Sequence, residues 1–175
     1  MQVYLIRHTK PNVPIGTCYG QSDVDIAPTF REEATGTLSL LKGIQFDKVY
    51  CSPLRRATKL AVFCGYPDAE RDDRLMEMNM GEWEMRWIED IPDVSIDLWY
   101  DQFDTIHAPG GETFDDLYNR IVDFLNEKKK EGYNRIALFC HGGPILCARV
   151  FAGQIKKSDG FKALTPFAGI DVIDI

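Results

Sequence analysis

Short apolar runs alternating with amphipathic stretches predict an α/β sandwich on a largely parallel sheet. Three runs, VYLIR (3–7), KVYCS (48–52) and RIALFCH (135–141), have the length and composition of buried strands. Helical patterns over 29–42, 53–64, 113–131 and 144–153 separate or succeed them. At 175 residues the chain is long enough for a full layered core. No repeat, low-complexity tract or Ser/Gly-rich linker interrupts it, so residues 1–175 are expected to form a single domain.

In chain order, the first run ends on Arg7 and His8. The second leads into SPLRRA, where Ser52 is suited to cap a helix and Pro53 to occupy its first position. Residues 76–112 carry all three tryptophans and APGGE, and are expected to form short helices and loops that build a wall or lid. The third run leads to His141, then Gly142, Gly143 and Pro144 opening another helix. The last run, GIDVIDI (169–175), alternates more and is expected nearer a sheet edge.

Composition narrows the function classes. A net charge of -7 argues against nucleic acid or an anionic membrane as partner, so any positive field must be local and built from a few arginines. No stretch approaches the roughly 20 apolar residues of a membrane span, and the start shows no signal-peptide pattern. Cys18, Cys51, Cys64, Cys140 and Cys147 lack a CxxC spacing and read as reduced thiols, which points to the cytoplasm. No metal site is expected: Cys140 and His141 are adjacent, and neighbours on an extended segment face opposite ways.

In an open parallel sheet, ligands bind beyond the carboxyl ends of the strands. At the ends of the three buried runs stand Arg7 and His8, then the Ser52 segment with Arg55 and Arg56, then His141. Helix N-termini favour an anion, and guanidinium forks match phosphate oxygens. One histidine at a strand end is commonplace, but two histidines with arginines at three strand ends describe a phosphate site.

These residues carry a resemblance to the histidine phosphatase superfamily, also called phosphoglycerate mutase-like, over nearly the whole chain. LIRHT resembles the family's Arg-His-Gly signature, CSPLRRAT its Ser-x-Leu-x-Arg-Ala segment, LMEMNMGEWE its Leu-x-Glu-x-x-x-Gly-x-Trp-Glu segment, and FCHGGPI its second-histidine loop. The resemblance implies a three-layer α/β/α sandwich, no cofactor and a phosphorylated small-molecule substrate. It implies that His8 is the nucleophile and Glu77 the proton donor, and that Arg7, Arg56 and His141 hold the phosphoryl oxygens. Arg55 falls on the variable position of its motif. Thr9 stands where the family has Gly, with Lys10 next, which bears on the shape of the nucleophile loop. RHTKPNV and GTCYGQSDVDI resemble the α-ribazole phosphatases of cobalamin synthesis, and place Cys18 and Tyr19 as candidates to contact the rest of the substrate.

Such a site suits the chemistry. A neutral imidazole avoids the repulsion between a phosphate dianion and an anionic nucleophile, and it splits one hard step into two. Guanidinium groups stabilise charge spread over the equatorial oxygens, and a basic alkoxide needs a general acid to leave. Taken alone, Glu77 reads as a solvated loop carboxylate; its motif makes it a candidate acid. Glu82 and Glu84 read as surface or supporting residues, Trp83 and Trp87 as wall packing, and His107 as a loop histidine without a catalytic role.

Rivals fare worse. DVDIA (23–27) mimics an aspartate phosphatase but comes after a loop-like segment, Cys51 and Cys140 lack the Arg that a cysteine phosphatase needs, and no GKS/T loop exists. A broad-specificity phosphatase, a phosphoglycerate mutase or a non-catalytic phospholigand-binding protein would keep the same site. Retention of Arg7, His8, Arg56, Glu77 and His141 together favours an enzyme. Oligomeric state has no signal in the sequence.

Overall fold

β1 (Gln2–Arg7) sends Val3 and Leu5 to one face of the sheet and Tyr4 and Ile6 to the other, the period-two alternation of a strand buried on both sides. The computed structural model describes residues 1–92, 98, 99, 101–103 and 105–175. After β1 come α1 (Phe30–Leu41), β2 (Lys48–Cys51), α2 (Arg55–Phe63) and the two-residue β3 (Glu70–Arg71). Short 3-10 turns at Asp73–Leu75, Gly81–Trp83 and Ile88–Asp90 lead to α3 (Phe114–Lys130), β4 (Arg135–Cys140), α4 (Gly142–Phe151) and β5 (Ile170–Asp174). The sheet order is β3-β2-β4-β1-β5. β5 alone runs antiparallel, at the edge where its alternating pattern placed it. β3 is too short to leave a periodic signal.

Two apolar clusters sandwich the sheet. Ile136, Leu138 and Cys140 of β4 join Leu117, Ile121 and Phe124 of α3 and Ile145 of α4 on one face. Ala137 and Phe139 meet Ala34 of α1 and Ala57, Leu60 and Ala61 of α2 on the other. The result is a three-layer α/β/α sandwich. β4 sits at its centre with every residue from Ile136 to Cys140 buried, so truncating Leu138 to Ala costs about 2–5 kcal/mol of stability.

α3 shows how sequence sets an element. Thr113 accepts a hydrogen bond from the Asp116 N–H while the Asp116 carboxylate accepts from the Thr113 N–H, a reciprocal capping box. Phe114, Leu117, Ile121, Phe124, Leu125 and Lys128 form its buried stripe, and Lys128, Lys129 and Lys130 lie at its negative end. The start of α2 departs from expectation. Its first residue is Arg55 rather than Pro53, and its N-cap, Leu54, makes no side-chain cap. The Ser52 hydroxyl accepts a long bond from the Leu54 N–H (3.4 Å) and also reaches His141 Nε2 at 2.7 Å, so it serves a remote partner as well as a local one. α4 starts at Gly142, two residues before its expected start. Among the described residues no helix is long and apolar enough to cross a membrane.

Candidate active site

The parallel pairing of β1, β4 and β2 aligns their carboxyl ends. Arg7 is level with Cys140 and Cys51 with Phe139. The ladder continues one step further, as the His8 N–H donates to the Cys140 carbonyl and the Ser52 N–H to that of Phe139. Three strand ends therefore place His8, Ser52 and His141 in one corner.

His8 is 1% exposed. Its Nδ1 lies 2.6 Å from the Thr9 carbonyl, which can only accept, so the proton is on Nδ1 and the Nε2 lone pair is free. Burial, then the charges of Arg56 and Arg7, hold the imidazole well below its usual pKa despite the Thr9 carbonyl. It is neutral at physiological pH. His141 is fully buried, its ring centroid 5.0 Å from that of His8. Burial and then Arg56 depress its pKa in the same way. Ser52 occupies its Nε2, and its Nδ1 has no hydrogen-bond partner.

Two guanidiniums flank the pair. Arg56 is fully buried and donates from Nη1 to the Ser22 carbonyl (2.9 Å) and from Nη2 to that of Gly20 (2.6 Å), leaving Nε unpartnered. Arg7 donates from Nη1 to the Thr165 carbonyl, lies 4.1 Å over the Phe167 ring, and likewise has an unpartnered Nε. Burial pulls both pKa values down, and Glu77 pushes back. Among the described residues neither arginine forms a salt bridge, so both carry charge without a contacting carboxylate.

Glu77 meets the start of α4, where its Oε1 accepts from the N–H groups of Gly143 (3.1 Å) and Met78 (2.9 Å). The approach explains the glycine: a Cβ on residue 143 would lie 2.3 Å from Glu77 Oε1, and one on residue 142 would crowd the Arg7 guanidinium at 3.2 Å. The Glu77 carbonyl is held in turn by Arg120 Nη2 and Gln21 Nε2. Arg120 also binds Glu112, of the PGGET stretch, and the carbonyls of Arg74 and Met76, fastening the segment that carries Glu77.

From Arg7 and Glu77 a cavity of about 300 Å³ opens between Cys18, Tyr19, Met80, Trp99, Phe114 and Leu164, among others. Cys18 and Tyr19 both line it. Burial, then Glu84, pushes the Cys18 thiol up to about 11, so it is a protonated apolar contact. Tyr19 lies under the Arg56 guanidinium, 5.4 Å from ring centroid to Cζ. Thr9 is buried with its hydroxyl unpartnered and its φ outside the left-handed region, so a side chain replaces glycine there without backbone strain. Lys10 is exposed, its N–H donating to Glu33.

Arg55 turns outward and binds Asp23 through its backbone N–H, Nε and Nη2, away from the corner. Trp83 packs edge-on against Trp99 in the core while Trp87 is 47% exposed; Trp99 is the tryptophan that lines the cavity. The His107 ring lies 3.0 Å from the Ala108 carbonyl and does not line the cavity. Part of the expected wall, residues 93–97, 100 and 104, lies outside the described residues.

The structure adds residues that sequence reading missed. Glu84, expected at the surface or in support, accepts from the N–H groups of Gly20, Gln21, Ser22 and Met80. Burial opposes its ionisation, and these donors overcome it to hold its pKa low. It thereby fastens the loop whose carbonyls receive Arg56, and the second acid of GEWE was the available signal. Phe167 and Thr165 come from a loop with no motif, tied down where the Ala168 N–H donates to the His8 carbonyl and Thr37 donates to that of Ala168.

Among the described residues no group of three or more His, Cys, Asp and Glu side chains is placed to hold a metal. All five cysteines are buried free thiols, and burial pushes Cys51 up to about 12 and Cys140 higher still, so neither is poised as a nucleophile. A neutral imidazole with a free Nε2, two guanidiniums and a carboxylate at a helix start are together equipped to bind a phosphoryl group and transfer it.

The model of the histidine phosphatase superfamily (branch 1) matches residues 3–174. An adenosylcobalamin/alpha-ribazole phosphatase of Escherichia coli is 28% identical over 160 residues, covering 86% of this chain and 79% of that protein. Phosphoserine phosphatase 1 of Hydrogenobacter thermophilus is 24% identical over 153 residues, covering 83% and 72%. The crystal structure of the alpha-ribazole phosphatase from Shigella flexneri matches with a TM-score of 0.87 at 23% identity, covering all of this chain and 91% of that one, a likeness of fold.

Proposed function

This chain belongs to the histidine phosphatase superfamily, and on that premise we propose that it is a cytoplasmic, metal-independent phosphomonoesterase that works through a phosphohistidine on His8. We further propose α-ribazole 5′-phosphate as its substrate and residues 1–175 as a single catalytic domain. One observation carries the reading. Of the five buried side-chain polar atoms without a partner among the described residues, four belong to Arg7, Thr9, Arg56 and His141. Buried donors are costly unless satisfied, and the charge of the two guanidiniums calls for an anion rich in acceptor oxygens.

His8 Nε2 attacks phosphorus as the ester P–O bond breaks, and its electron pair leaves on the alcohol oxygen, which takes a proton from Glu77. Arg7, Arg56 and His141 hold the equatorial oxygens, and the two guanidiniums supply the charge that a metal supplies elsewhere. Water then attacks phosphorus, Glu77 takes its proton, the P–N bond breaks, and inorganic phosphate leaves a neutral His8. The tautomer fixed by the Thr9 carbonyl supports the assignment of Nε2 as the attacking atom.

Three observations favour α-ribazole 5′-phosphate: the Arg-His-Thr variant, the likeness to the E. coli phosphatase and an apolar cavity beside the phosphate corner. Rapid quench with labelled substrate is expected to leave acid-labile, base-stable phosphate on His8, unaffected by EDTA. Label on an Asp or Cys, or activity restored only by added magnesium, would remove the mechanism. Comparison of kcat/KM across α-ribazole 5′-phosphate, 3-phosphoglycerate and ribose 5-phosphate tests the substrate. A flat profile would leave a broad-specificity phosphatase, and phosphate transfer with 3-phosphoglycerate a mutase.

A further inference from the structure

We propose that the cavity beside Arg7 and Glu77 selects phosphomonoesters whose alcohol portion is uncharged and apolar, and turns away those bearing a carboxylate. This rests on the phosphatase reading and names the substrate class of that site. Arg7 is the only cationic side chain among the described residues lining the cavity, and its Nη1 is already given to the Thr165 carbonyl. Beyond it the walls are Met78, Met80, Ile88, Trp99, Leu117 and Leu164.

Two cations beside the wall, Arg120 and Lys157, are committed elsewhere. Residues 87–119, which supply much of the wall, contain nine acidic residues and no lysine or arginine. Arg120, next in sequence, is spent on Glu112 and on the carbonyls of Arg74, Met76 and Glu77. Lys157 lies over the Phe114 ring at 4.9 Å and is paired with Asp115 at 2.8 Å. A substrate carboxylate entering the cavity would therefore lose water without gaining a counter-ion, and would face the like charge of Glu77. A ring gains instead, from apolar burial and from the aromatic groups of Trp99 and Phe114. The small volume suits a ring system held close to the phosphate.

The test uses a near-isosteric pair, 2-phosphoglycolate and its methyl ester, with 2-phenylethyl phosphate alongside. For wild-type protein, kcat/KM is expected to rank phenylethyl phosphate first, then the ester, with the acid at least about tenfold below the ester, a difference of ~1.4 kcal/mol. Calorimetric binding to His8→Ala protein should keep that order without turnover. Ile88→Arg, which brings a cation to the wall, should narrow the gap between ester and acid about tenfold. Equal binding of acid and ester would overturn the selectivity whatever the turnover. Preferred binding of the ester with no hydrolysis of any compound would keep the selectivity and remove the phosphatase reading. Failure of all three to bind would overturn both.

Discussion

The phosphate corner and the cavity wall are neighbours built on opposite principles. The corner takes polar side chains from strand ends and helix starts, buries His8, Arg56 and His141 almost completely and aims its groups with backbone carbonyls: Thr9 for His8, Gly20 and Ser22 for Arg56, Thr165 for Arg7. The wall takes apolar side chains from loops, 3-10 turns and helices, and lines a cavity with them. Charge and direction decide what the corner binds, while volume and the lack of a counter-ion decide what the wall admits. Chemistry and selectivity are thus separable here, and substitutions in each should fail in different ways.

The severest break falls on the corner. His8→Ala should lower turnover by at least about four powers of ten for every phosphomonoester, while the circular dichroism spectrum stays unchanged. Residual activity near wild type would mean that the corner does not perform the chemistry. Next in size is the contrast between two adjacent arginines. Arg56→Ala should reduce kcat/KM about a hundred- to a thousandfold, whereas Arg55→Ala, which loses only an exposed pair with Asp23, should change it no more than about threefold. Equal losses would show that burial and carbonyl contacts do not distinguish them.

A smaller effect sharpens how the corner is held. Glu84→Gln keeps the shape but replaces an acceptor-only carboxylate that gathers four N–H groups with an amide that brings two donors. Orthovanadate inhibition should weaken about tenfold, in step with kcat/KM. In an Arg56→Ala background the same change should have almost no effect on vanadate. Additive losses would assign Glu84 to general stability rather than to positioning Arg56.

The smallest effect is on stability. His8 and His141 have folded pKa values well below the unfolded value near 6.5, so below that pH the unfolded chain binds more protons than the fold. Stability is therefore fully present above about pH 6.5 and falls on acidification, by up to about 1.4 kcal/mol per pH unit for each histidine. Urea unfolding at pH 7.5, 6.5 and 5.5 should show the decline, and His8→Ala should reduce its slope. A flat profile over that window would mean that the corner histidines are not buried neutral.

Much of the corner was legible because strand ends are local features. An apolar run of five or six residues announces a buried strand, and a parallel sheet delivers its carboxyl ends to one edge, so Arg7, His8, the Arg55 and Arg56 pair and His141 could be grouped from their flanks alone. The capping box at Thr113 and Asp116 was legible for the same reason: donor and acceptor lie three residues apart. The expected cap at Ser52 failed because the helix begins at Arg55, and the partner its hydroxyl takes 89 residues away left no local signal. Glu84 escaped because its role is a set of bonds to a distant loop, and Phe167 because its ring meets Arg7 of a strand far away in the chain.

The sequence by itself therefore determined the order of strands and helices, the edge position of the last strand and which polar residues would meet. These come from periodicity and from chain connectivity. Only the tertiary structure decided which nitrogen of His8 carries the proton, what holds Arg56 and Glu77, and that the cavity wall offers no counter-ion. Each of those depends on the nearest group in space. A side chain chooses its hydrogen-bond partner and loses its water according to what folding brings against it, which no local pattern records.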